Sequence, residues 1–149
     1  MPVFIQILIF VSFTICAKVT KMNEPTIFLV ENDDDTRPVF KTVLQEQGYN
    51  VVVSIDEEDA LQKLNDGFVK SDLLVVNPVG KSELEMLDFG NLLREKGKRN
   101  IPVVAIAAEY ADELEGTIAQ VRENEYVVDL GEGEELFDLL SSLTKINPS

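Results

Sequence analysis

The chain contains no histidine and a single cysteine, Cys16. Without an imidazole there is no Ser-His-Asp or Cys-His catalysis, no His-ligated zinc site and no phosphohistidine. One cysteine allows no internal disulfide, so nothing points to oxidising export. Positive charge is scarce as well, with 13 Lys and Arg against 27 Asp and Glu, a net charge of −14. The imbalance is uneven along the chain. No acid precedes Glu24, and only Lys18 and Lys21 are basic before it, so all 27 acids share the rest of the chain with 11 bases. Such a body repels nucleic acid, whose binding depends on neutralised phosphates. The charge serves solubility first and a basic protein partner second.

What is present is ordinary for a soluble domain: 149 residues, 45% hydrophobic and 27% charged. That length suits one domain around one core. Residues 3–17 form an apolar run interrupted by Gln6, Ser12 and Thr14. It falls short of the roughly 20 residues that span a bilayer as a helix. It also lacks the positive start of a signal peptide, and Ile15-Cys16-Ala17 makes a poor cleavage site. Residues 1–21 are therefore an apolar extension with three readings, in order: an early start assignment ahead of Met22, an anchor, or a cleaved signal. Residues 22–149 form the domain. A cytoplasmic location is expected. Were the segment an anchor, Lys18 and Lys21 would keep the domain on the cytoplasmic side.

From Met22 onward short apolar runs alternate with amphipathic stretches. Strands are expected at 26–30, 50–54, 72–76, 101–107 and 125–128. Helices are expected at 36–47, 57–64, 83–96, 111–122 and 134–144, from apolar residues at 3.6-residue spacing. In the first helix the apolar set is Val39, Phe40, Val43 and Leu44. Asp56 or Ser54 is positioned to cap the second. The first, third and fourth strands are near-continuous apolar runs, as in sheets covered on both faces. Five β-α repeats imply a (βα)5 doubly wound fold with a parallel five-stranded sheet. Ligand chemistry in such folds lies at the carboxyl ends of the strands.

Those ends read Glu31-Asn32-Asp33-Asp34-Asp35, then Asn77, then Ala107-Ala108, then Asp129. This frame, over residues 26–144, resembles the response-regulator receiver domain of two-component signalling, a flavodoxin-like fold. FLVENDDDTR is similar to that family's first-strand acidic motif. Asn77, in LLVVNPVG, falls where the resemblance implies a phosphoacceptor aspartate. Ala107 falls at a Thr or Ser position, Asp129 at a Lys position, and Tyr126 at that of a rotating aromatic.

Aspartyl phosphorylation needs a carboxylate nucleophile, a Mg²⁺ held by acids, and cations to offset phosphoryl charge. Asn77 is a neutral amide, Ala107 has no hydroxyl, and Asp129 brings the wrong sign. Asn32 reduces the acidic pair to Glu31, with Asp33 as a substitute. The resemblance thus implies a degenerate receiver without phosphotransfer. It would not be an enzyme, and it would act through a protein partner such as a signalling kinase or regulator. The contact would lie over the fourth strand, fourth helix and fifth strand. No cofactor and no metal are expected, Glu31 and Asp33 being weak candidates for Mg²⁺. Asn77 is expected to hydrogen-bond neighbouring loops, satisfying buried groups. Asp33-Asp34-Asp35 reads as a solvated loop with a helix cap. Two rivals remain: an active receiver phosphorylated on another acid such as Asp33 or Asp129, and a small-ligand or metal sensor using the acidic pocket.

Overall fold

The computed structural model describes residues 24–66, 70–77, 80–107, 118–129 and 133–144. Strands β1 (Thr26–Val30), β2 (Asn50–Ser54), β3 (Leu73–Val76), β4 (Val103–Ala107), β5 (Ile118–Arg122) and β6 (Glu125–Asp129) form one sheet in the order β2-β1-β3-β4-β6-β5. Helices α1 (Thr36–Glu46), α2 (Glu57–Asn65), α3 (Glu83–Gly97) and α4 (Glu134–Thr144) flank it. All pairings are parallel except β5 with β6.

The apolar strands are buried on both faces because side chains alternate across a strand. Ile27, Leu29, Leu73, Val75, Val104 and Ile106 pack with Phe40 and Leu44 of α1 and Leu136, Leu139 and Leu140 of α4. The alternate set, Phe28, Val30, Leu74, Val76 and Ala105, packs with Ala60 of α2 and Met86, Leu87, Phe89 and Leu93 of α3. Each fully buried Leu, Ile or Phe contributes about 1.5–3 kcal/mol. On α1, Phe40 and Leu44 are buried, whereas Val39 is 63% exposed. The buried stripe of α1 is therefore narrower than the apolar spacing suggests.

Local chemistry sets the helix starts. Asp56 caps α2, its Oδ1 accepting from Asp59 N–H at 2.8 Å. Ser82 caps α3, its Oγ accepting from Glu85 N–H at 3.2 Å. Each such cap is worth about 1 kcal/mol. Helix α3 passes so close to the sheet that a methyl group on Gly90 would overlap Val103 Cγ1. Glycine there is a packing requirement.

The sheet departs from the expected five parallel strands. Among the described residues it has six, and the helix expected over 111–122 is replaced in its described part by the antiparallel edge strand β5; residues 111–117 lie outside the described residues. Arg122 and Glu125 face each other across a two-residue turn, Glu123-Asn124, with Asn124 at φ 60°. Asparagine tolerates that left-handed conformation better than most residues. Arg122 Nε also bonds Glu125 Oε2 at 2.7 Å. Turn and cross-strand pair together favour a hairpin over continued helix.

Candidate functional site

Strand β1 delivers Glu31 to the carboxyl end of the sheet, and β3 delivers Asn77 beside it. The backbone fixes this meeting: Asn77 N–H donates to Val30 O at 2.9 Å, and Glu31 N–H donates to Ser54 O at 3.1 Å. Glu31 is fully buried, 0% exposed. Asn77 Nδ2 donates to its Oε2 at 2.5 Å, and Asp33 N–H donates to its Oε1 at 3.1 Å. The amide orientation follows from chemistry, since a carboxylate offers only acceptors and must be met by the NH₂ group. Burial pushes the Glu31 carboxyl above its ordinary range, while the Asp33 N–H and the Asn77 amide pull it back.

Asp33 is turned away from Glu31 toward the helix. Its Oδ2 accepts from Thr36 N–H at 2.8 Å and from the Thr36 hydroxyl. Those two donors, the hydroxyl first, hold its carboxyl below the ordinary aspartate range. Asp35, the residue before α1, makes no side-chain cap, so Asp33 satisfies the free N–H of the first turn instead. Arg37 completes the loop. It donates from Nη1 to Glu31 O at 3.0 Å and from Nη2 to Asp34. Sequence reasoning passed over Arg37, although it is the one cation directly after four acids in ENDDDTR. Asn32 is exposed in the same loop.

The remaining candidates share the carboxyl end of the sheet. Ala107 ends β4, is 1% exposed, and lies in register with Asp129, which ends β6. Tyr126 is half-buried against the α1–α4 side of the core and pairs in register with Gln120 of β5. Its described neighbour at 118–122 is thus a strand and not the helix expected over 111–122. Glu31, Asp33 and Asn77 come together through hydrogen bonds; Ala107 and Asp129 stand on the adjoining strands.

This arrangement bears on a divalent cation. A cation needs the lone pairs of several oxygens at once. Here Glu31 Oε1 and Oε2 each accept an N–H, and Asp33 Oδ2 accepts twice. Asn77 turns its NH₂, rather than its carbonyl, toward the pocket carboxylate. Among the described residues no three acidic, His or Cys side chains converge as a metal-binding group. Protein donors thus take one lone pair of each Glu31 oxygen and both of Asp33 Oδ2, so Mg²⁺ would have to use the pairs that remain or displace these donors.

No protein-family model and no curated protein matches the chain. Solved structures do match in fold. The response regulator TrrA of Thermotoga maritima, crystallised with Mg²⁺ and BeF, is 24% identical with a TM-score of 0.58, covering 80% of this chain and 98% of that one. The receiver domain of a Francisella response regulator is 20% identical with a TM-score of 0.61, covering 82% and 98%. The receiver domain of a sensor histidine kinase from Pseudomonas aeruginosa, with magnesium in its active-site cleft, is 19% identical with a TM-score of 0.58, covering 83% and 99%. The chain thus has a parallel-dominated, flavodoxin-like receiver fold. No helix among the described residues is long and apolar enough to cross a membrane.

Proposed function

We propose that this chain is a receiver-like domain of a two-component or phosphorelay system that works without phosphorylation, by binding a protein partner. One observation carries the reading: the amide of Asn77 is bonded at 2.5 Å to the buried carboxylate of Glu31. A phosphoacceptor pocket gathers carboxylates around a cation, and the cation offsets their repulsion. In this chain a neutral donor does that work. The side chain at the end of β3 is bonded inward, and an amide is a negligible nucleophile.

The neighbouring positions support the same reading. Phosphoryl transfer is accelerated by placing positive charge and hydrogen-bond donors around the moving phosphoryl group. Ala107 offers neither, and Asp129 adds negative charge on the adjoining strand. Asp33, the rival acceptor, has its Oδ2 bonded twice to Thr36. The chain is then not an enzyme. Its output passes through contact with a signalling kinase or regulator, in the cytoplasm, and not with nucleic acid, which its charge of −14 repels.

Intact-mass measurement after incubation with acetyl phosphate and Mg²⁺ tests this directly. The unmodified mass is expected. A stoichiometric adduct of roughly +80 Da, lost at alkaline pH, would establish an active receiver instead. The sensor alternative is tested by melting with Mg²⁺ or Ca²⁺. A specific ion at about 100 times its dissociation constant adds about 2.7 kcal/mol. The bonding of Glu31 and Asp33 predicts no such shift.

A further inference from the structure

The edge strand β5 stands where the spacing of apolar residues calls for helix. Ala111, Leu114, Ile118 and Val121 follow one another at intervals of three, four and three, which line one face of a helix. Asp112, Glu113 and Glu115 would fall near the start of that helix and Arg122 at its end, the arrangement that a helix dipole favours. Gly116 is its weak helix former. As a strand, Ile118–Arg122 pairs imperfectly with β6. The register with β6 shifts between Gln120 and Arg122, and Val121 is 49% exposed. Two local readings therefore compete for Ile118–Arg122, and something outside local preference selects the strand.

Arg122 anchors the end of that strand. Its Nε bonds Glu125 Oε2 at 2.7 Å, and its Nη2 bonds Asp88 Oδ1 of α3 at 3.0 Å. The Asp88 pair is exposed and of small worth by itself. The Glu125 pair is different. Glu125 is 3% exposed, and its other oxygen, Oε1, has no hydrogen bond. The nearest second cation, Arg94, is 3.5 Å from Oε1. Its guanidinium is already bonded to Ile101 O and Asn91 Oδ1. Removing Arg122 would leave a buried carboxylate without its close cation, a costly arrangement.

We propose that Ile118–Arg122 is a convertible element: an edge strand clasped to the sheet by Arg122, which goes over to helix when the clasp is broken. The change would matter to the candidate site. Strand β5 covers the outer edge of β6, with Ile118 opposite Val128 and Gln120 opposite Tyr126. Its departure makes β6 the edge of the sheet. Backbone N–H and C=O groups beside Tyr126 and Asp129 are then open to a partner strand. A partner that pairs with β6, or competes for Arg122, would shift the balance.

Arg122→Gln in the full chain tests this, read by backbone NMR and amide exchange. The expected result is a change of the Cα shifts of residues 118–122 from strand-like to helix-like. Their exchange should quicken on the order of tenfold or more while β4 keeps its protection. Arg122→Lys should retain the strand in part. If Arg122→Gln does not fold, the double variant Arg122→Gln/Glu125→Gln removes the buried charge with the clasp, and the same helical shift is expected there. Strand-like shifts retained without Arg122 would overturn the proposal. So would coil-like shifts, which would show a strand that detaches without converting.

Discussion

Asn77 Nδ2 lies 2.5 Å from Glu31 Oε2 and supplies the hydrogen bond that this buried carboxylate requires. The pair ties the end of β3 to the loop leaving β1. Asn77→Ala removes the donor and leaves a buried acceptor facing a void. Leaving such a group unsatisfied costs about 1–3 kcal/mol, and more for a charged one. Urea denaturation should show a lower midpoint with an unchanged slope. An unaltered midpoint would mean that water or another donor takes over the role.

The same carboxylate makes stability depend on pH. The Glu31 carboxyl titrates above its ordinary 4.5 in the folded protein. A raised carboxyl favours the protonated folded state, so its contribution is fullest below pH 4.5 and is lost as pH rises through the folded value. Asp33 and Asp59 run the other way. Both are held below 3.8, Asp33 mainly by the Thr36 hydroxyl and Asp59 mainly by Lys63, and their contribution is lost only in stronger acid. The stability of the native chain relative to Glu31→Gln should therefore fall as pH rises from about 4.5 toward 7. A flat difference across that window would show that Glu31 titrates normally.

Gly90 tests the packing of α3 on the sheet. Alanine is the better helix former by about 1 kcal/mol, but its methyl would overlap Val103. Overpacking of this kind costs about 1–3 kcal/mol, so Gly90→Ala should lower the melting temperature. Pairing it with Val103→Ala makes room for the methyl. The double variant should be more stable than the sum of the two single effects allows.

Most of the framework was legible because burial on two faces writes a simple signal. TIFLV, LLVV and VVAIA read as interior strands, and Asp56 sits where a cap belongs. The site was legible in position, since strand ends are fixed once the strands are. Its bonding was not: no spacing says that Asp33 turns toward Thr36 or that Arg37 reaches back to Glu31 O. The sixth strand was missed for a different reason. Ile118 and Val121 suit a helix face, and the residues that decide for a strand are contacts, Arg122 with Asp88 and with Glu125. The one local signal for the hairpin is Asn124, which tolerates the left-handed turn.

Asn77→Asp tests most directly the proposal that several positions together, and not Asn77 alone, keep this pocket from phosphotransfer. The substitution restores a carboxylate at the end of β3 but leaves Ala107 and Asp129 in place. The variant would be incubated with acetyl phosphate and Mg²⁺ and weighed intact. The expected result is no adduct, because no hydroxyl and no cation at those positions stabilises the phosphoryl group. A stoichiometric gain of roughly 80 Da that is lost in alkali would contradict it. It would show that Asn77 alone separates this chain from a working receiver.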